Sequence, residues 1–160
     1  MDGEARHMMN SFKYHAHFWL RDDLVDLMEA VVRARFHVDE IDLVLSMPST
    51  AWHLWKRGYN PARELAKPLA RRLGRPAPAF VVRRAGRPRR QAGLSEEERR
   101  ANAVGTFAVT RPKVVAGKTV LVVDDVMTTG STLSDCAATL KRAGAARVWC
   151  VSAVRSLRSR

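Results

Sequence analysis

The sequence predicts an α/β fold, a doubly wound and mainly parallel sheet, and three observations carry that prediction. Residues 120–123, Val-Leu-Val-Val, form an apolar run with no polar alternation, which suits a strand covered on both faces. Residues 41–47, Ile-Asp-Leu-Val-Leu-Ser-Met, read as another strand, ended by Pro48. Around these two, short apolar segments alternate with segments of helical period, as β-α-β winding requires. A chain of 160 residues is long enough for one domain with its own core.

In chain order, residues 1–20 read as a loose N-terminal segment, polar and Met-rich at first and without period, and 21–160 as the domain. Asp22 or Asp23 predicts the cap of a helix to about Phe36, with Leu24, Leu27, Met28, Val31 and Val32 on one face. The strand 41–47 leads into the turn Pro48-Ser49-Thr50, at a carboxyl end where open α/β sheets bind ligands. Trp52 to Tyr59 is aromatic and basic. Asn60-Pro61 predicts a cap followed by proline in the first turn, and Gly74 closes that helix. Leu65, Leu69 and Leu73 share its face, and Pro68 inside it predicts a kink or a broken turn. Ala79–Arg83 reads as a short strand. Five arginines fall in the eight residues Arg83–Arg90, with Gly86 and Pro88 among them, which predicts a mobile basic loop. Ser95-x-x-Glu98 is a capping box for a short helix through Ala103. Thr106–Thr110 reads as a strand. The run at 120 follows Gly117-Lys118, a helix runs from about Ser131 to Gly144, and Arg147–Val154 is the last strand.

Composition narrows the partners. Hydrophobic residues make up 46% and charged residues 28%, ordinary for a globular protein, but the net charge is +12. Of the 28 basic residues 22 are arginine, whose forked guanidinium matches phosphate oxygens better than a lysine point charge does. The partner is therefore anionic, a polyphosphorylated small molecule or nucleic acid, unless the charge serves solubility alone. Cys136 and Cys150 are the only cysteines, and their spacing supports neither a zinc site nor a disulfide framework, which makes a reducing cytoplasm the expected setting. His15-x-His17 has no ligating companions nearby and reads as a solvated pair. No stretch approaches the roughly 18–20 apolar residues of a membrane span, and no signal-peptide core precedes residue 20.

The chemistry concentrates at 124–132, Asp-Asp-Val-Met-Thr-Thr-Gly-Ser-Thr. Two carboxylates where a buried strand emerges, then hydroxyls around a glycine before a helix, make a polyol-and-phosphate site. Helix N–H groups hold a phosphate, and the acids take sugar hydroxyls or a metal. A Walker B reading needs an upstream phosphate loop, but the only Gly-Lys-Thr, at 117–119, has Pro112 where the first glycine belongs and leads into a strand. A response-regulator reading needs most of a domain after the acids, and only 35 residues follow Asp125.

Val120–Thr132 resembles the phosphoribosyl-pyrophosphate (PRPP) signature of type I phosphoribosyltransferases: apolar strand, two acids, then Thr-x-Gly-Ser-Thr. Lys56-Arg57-Gly58-Tyr59-Asn60, then Gln91-x-Gly93-Leu94-Ser95 with Glu98, Arg99 and Asn102, narrow the resemblance to the ComF/GntX group, linked to competence and DNA uptake. It covers roughly residues 40–155. Members usually carry an N-terminal four-cysteine zinc ribbon, of which this sequence has none.

The resemblance implies that Asp124 and Asp125 are the catalytic pair, taking the ribose 2′- and 3′-hydroxyls and helping to place Mg²⁺. It implies that Thr128, Thr129, Gly130, Ser131 and Thr132 cradle the 5′-phosphate. Pro48, Ser49 and Thr50 would match the pyrophosphate loop, joined by Lys56 and Arg57. Arg83, Arg84, Arg90 and Gln91 would belong to the loop that closes over pyrophosphate. Hypoxanthine-type transferases place an aspartate where this chain has Thr128, so 6-oxopurine salvage is disfavoured. Nothing reads as a base-binding hood, and the acceptor is not legible. The implied partners are PRPP, a second copy of the chain or the competence machinery. Single-stranded DNA is a further candidate, because Trp52, Trp55 and Tyr59 interleave with His53, Lys56 and Arg57; the same aromatics also fit a core or an interface. Cys136 reads as buried packing.

Overall fold

The computed structural model describes residues 19–85 and 106–156. The early N-terminal segment, Arg87–Arg90, Gln91, the capping box at Ser95–Glu98, Arg99 and Asn102 lie outside the described residues.

Among the described residues five α-helices and five strands follow one another as α1 (Trp19–Arg35), β1 (Leu43–Ser46), α2 (Ala51–Arg57), α3 (Pro61–Arg72), β2 (Val82–Arg84), β3 (Phe107–Val109), α4 (Pro112–Val115), β4 (Thr119–Met127), α5 (Ser131–Arg142) and β5 (Arg147–Arg155). β1, β4 and β5 form a parallel sheet in that order, with Leu43 opposite Val120 and Thr119 opposite Arg147. β4 is thus the central strand. Leu121 and Val123 enter one apolar cluster and Val120 and Val122 another, so both faces are covered. That is why the run carries no polar alternation; each such buried side chain contributes about 1.5–3 kcal/mol.

One face is covered by α1 and α3, which bring Leu24, Val25, Met28 and Val32 against Leu65, Leu69 and Leu73. Phe36 stacks on Trp149 beside them, ring centroids 4.8 Å apart. The other face is covered by α5, through Leu133, Cys136 and Leu140, together with Val82, Phe107 and Val115. Helices on both faces of a parallel sheet make the doubly wound α/β class that the sequence predicts.

Four details differ from the sequence reading. α1 begins at Trp19, and Asp22 sits in its first turn beside Arg21 Nε (3.0 Å) rather than capping it. Its buried stripe turns toward Val25, which leaves Leu27 and Val31 66% and 49% exposed. α3 runs unbroken through Pro68, because Leu65, Ala66, Leu69 and Ala70 are all buried around the missing bond. The segments expected as strands at 79–83 and 106–110 do not join the parallel sheet. They form a separate antiparallel ribbon, Val82 opposite Val109 and Arg84 opposite Phe107.

Candidate functional site

β1 and β4 run parallel, so their carboxyl ends release two loops side by side. Met47 N–H donates to Val123 O (2.8 Å), and the residues that follow these two are Pro48 and Asp124. Asn60, the cap of α3, accepts from Ala62 N–H and donates its side-chain amide to Met47 O (2.9 Å), which ties α3 to the start of the 48–50 turn. Thr50 is spent locally: its hydroxyl caps α2 by accepting from His53 N–H (3.2 Å).

The carboxylates of Asp124 and Asp125 are half-buried, and the Asp125 N–H donates to Asp124 Oδ1 (3.0 Å). Successive strand residues point to opposite sides, and the two acids act on different neighbours. Tyr59 is held above the ordinary phenol range, first by burial and then by the charges of Asp125 and Glu64 against the opposing Arg57. Asp124 acts instead on Cys136 and Cys150. Burial is the first cause there, and the thiols are pushed up to about 12 and about 11.

Gly130 stands before α5 at φ 79°, a left-handed conformation that glycine adopts without cost. Gly130 and Thr132, at the start of α5, line the same cavity as the two acids. An α-helix leaves its first N–H groups without intrahelical partners, and with the helix dipole they favour an anion. Thr129 and Ser131 hydroxyls bond each other at 3.0 Å and stiffen the turn. The cavity measures about 190 Å³ and is lined by Asp124, Asp125, Thr128, Gly130 and Thr132 with Met127, Leu133 and Arg84.

The other sequence candidates do not all gather at this cavity. Arg84 joins the acidic turn: its Nε donates to Pro48 O (3.0 Å) and its guanidinium lies 5.1 Å from the Phe107 ring. Pro48, Ser49 and Arg83 line a larger neighbouring cavity that Arg84 also borders. Arg57 is half-buried and its charge reaches Tyr59, whereas Lys56 lies on the outer side of α2 with its ammonium 5.2 Å from the Trp52 ring. Arg90 and Gln91 lie outside the described residues. The sequence offers Tyr59 only as a base-stacking candidate and Asn60 only as a helix cap; the structure sets Tyr59 within reach of the Asp125 charge and ties Asn60 to Met47 O.

The donor set also speaks to metal. Among the described residues no three His, Cys, Asp or Glu side chains gather as a metal cage. Two carboxylates beside a helix N-terminus that favours anions would fit Mg²⁺ instead, which keeps several waters and is shared between one or two carboxylates and substrate phosphates. No described helix is long and apolar enough to cross a membrane.

Comparisons with known proteins bear on the family and the fold. The family model for the phosphoribosyl transferase domain matches residues 57–160. Competence protein F of Haemophilus influenzae is 32% identical over 141 residues, 86% of this chain and 62% of that protein. The DNA utilization protein YhgH of Salmonella typhi is 37% identical over 112 residues, 69% of this chain and 48% of that protein. The chain therefore spans about half to three-fifths of the curated relatives it matches. Among solved structures, the glutamine PRPP amidotransferase of B. subtilis superposes with a TM-score of 0.58 at 20% identity, over 83% of this chain and 26% of that one. An adenine phosphoribosyltransferase gives 0.57 at 18% identity, over 88% and 72%. These two are likenesses of fold.

Proposed function

The chain belongs to the phosphoribosyl transferase domain family of ComF type, and from that premise we propose that it binds PRPP with Mg²⁺ and transfers the phosphoribosyl group to a nitrogenous acceptor, in a role tied to DNA uptake. The observation that carries the reading is the 190 Å³ cavity that joins a carboxylate pair, the N-terminus of α5 and Arg84.

The residues divide the work by charge. The α5 N–H groups and the Thr128 and Thr132 hydroxyls hold the 5′-phosphate, and Asp124 and Asp125 accept from the ribose hydroxyls. The anchored ribose then presents C1′ toward Arg84. Breaking the C1′–O bond leaves positive charge on the ribose and negative charge on pyrophosphate. The two carboxylates lie where the first develops, and Arg84 lies where the second does. Bound Mg²⁺ supplies further neutralisation of the pyrophosphate oxygens. Thr128 has no carboxylate to exchange protons with a purine ring, so the acceptor brings its own nucleophilic nitrogen.

Calorimetry with PRPP and Mg²⁺ tests the reading, with pyrophosphate release measured over a panel of bases. The expected result is binding by the natural protein and at least a tenfold weaker binding by Asp124→Asn/Asp125→Asn. Absence of PRPP binding by the natural protein rejects it.

A second reading rests on α2. Trp52 and Trp55 are 59% and 85% exposed, and no residue of this helix is buried. Exposed aromatics beside Lys56 offer stacking faces for single-stranded DNA, in a protein that need not catalyse transfer. DNA binding that survives Asp124→Asn/Asp125→Asn and is lost in Trp52→Ala/Trp55→Ala supports it; unchanged binding in the tryptophan variant excludes it.

A further inference from the structure

The larger cavity lies beyond Arg84, along β1, which is an edge strand of the parallel sheet. It measures about 330 Å³, within the roughly 300–1,000 Å³ range of small-molecule sites. Val44, Leu45 and Ala66 contribute an apolar lining, and Leu54 of α2 and Phe80 stand at its walls. Arg63, Lys67, Arg83 and Arg84 line it too, and among the described residues no carboxylate does. An apolar cavity with four cations and no acid selects an anion that carries a flat or apolar body.

Phe80 narrows that class. Its φ is 56°, the single positive value at a non-glycine residue among those described. An aromatic residue holds that conformation only where its surroundings impose it. Here Thr110 does so, through a backbone N–H bond to Val81 O (2.8 Å) and a hydroxyl that donates to the carbonyls of both Phe80 and Val81. Burial does not explain the strain, because the ring is 76% exposed. The Arg63 guanidinium lies 5.1 Å from the ring centroid and holds it at the cavity rim. Strained backbone thus displays an aromatic ring, with Arg63 over one face and most of its surface exposed, next to a cationic cavity.

We propose that this cavity is a nucleotide site, distinct from the acidic turn, in which a nucleobase stacks on Phe80 and its phosphate is held by Arg63, Lys67 and Arg83. Stacking uses the face of any base, and forked guanidiniums suit phosphate oxygens. The same moiety occurs as a free nucleoside monophosphate and as a residue of a single DNA strand. The cavity borders the acidic turn through Arg84, but Phe80, Arg63 and Lys67 take no part in the transfer reading.

Phe80→Gly is the informative variant, because glycine relieves the positive φ while removing the ring. The full chain and the variant are titrated with dAMP, with an oligo-dT strand, and separately with PRPP and Mg²⁺. The proposal expects the variant to melt higher and to bind dAMP or the strand at least tenfold more weakly, with PRPP affinity unchanged within twofold. Tighter binding of the strand than of dAMP, lost in the variant, identifies the strand as the source; comparable binding of both identifies the free nucleotide. Nucleotide binding unaffected by Phe80→Gly places the ligand elsewhere and overturns the proposal, as does no binding of either ligand by the natural protein. No PRPP binding by the natural protein, with nucleotide binding intact, leaves this site standing and rejects the transfer reading; loss of PRPP binding in Phe80→Gly alone makes the two sites one and overturns the proposal.

Discussion

Cys136 and Cys150 show how far residue-level reasoning reaches. Cys136 is 1% exposed in the cluster formed by α5 and the sheet, and Cys150 packs against the same cluster. Burial raises both thiols, to about 12 and about 11. A thiol whose folded value lies above its unfolded value of about 8.5 adds stability that is complete below that value. The contribution is lost as pH rises from about 9 toward 12, because the unfolded chain ionises first. Iodoacetamide at neutral pH is therefore expected to leave both thiols unmodified in the native protein and to label them after denaturation, and the melting temperature should fall across the alkaline range. Rapid native labelling of Cys136 would contradict its place in the core. Buried packing of Cys136 was legible from its helical position. The link between Asp124 and the two thiols was not, because it depends on how α5 and β5 meet across β4. Tyr59 near Asp125 escapes notice for the same reason: 66 positions of chain separate them.

At the scale of elements, strong periodicity and strong burial coincide. β4 was visible because both its faces are covered, and α5 because a hydroxyl-rich glycine turn opens it and Gly144 closes it. The ribbon β2–β3 was misread as part of the parallel sheet, since each strand is three residues long and neither shows which neighbour it pairs with. Pro68 was read as a possible break, and α3 carries on through it. The packing around that proline is what sustains the helix, so Leu69, fully buried next to it, should matter more than the proline's lost bond. Leu69→Ala is expected to cost about 2–5 kcal/mol in urea unfolding, with little change in the urea dependence of the free energy. A loss below about 1 kcal/mol, typical of an exposed position, would mean that α3 does not seal the sheet. Asn60 makes this packing matter for the site as well: the helix that Leu69 anchors carries at its start the amide that holds Met47 O and the 48–50 turn.

For the whole molecule the leading quantity is the net charge of +12, and the fold concentrates part of it. Several cations are neutralised locally: Arg72 pairs with Asp26 and Glu29, Arg147 with Glu40, and Lys118 with Asp42. Arg63, Lys67, Arg83 and Arg84 instead gather around one cavity without an acid in its lining among the described residues. A uniform solubility charge would have no reason to cluster beside an apolar pocket. A phosphate-bearing strand that displaces counterions from these groups must bind in a salt-dependent way, with a log–log slope of about −0.7 for each phosphate neutralised on single strands. Arg84 also lines the acidic-turn cavity, which leaves three of the four to the strand. The slope for an oligo-dT strand, read by fluorescence anisotropy across a salt series, is then expected near −2. Arg63→Gln/Lys67→Gln should flatten it by about 1.4, while Asp124→Asn/Asp125→Asn should leave it unchanged. An unaltered slope in the Arg63/Lys67 variant would show that the excess charge acts on nucleic acid from elsewhere on the surface, and that the clustering around the cavity has another cause.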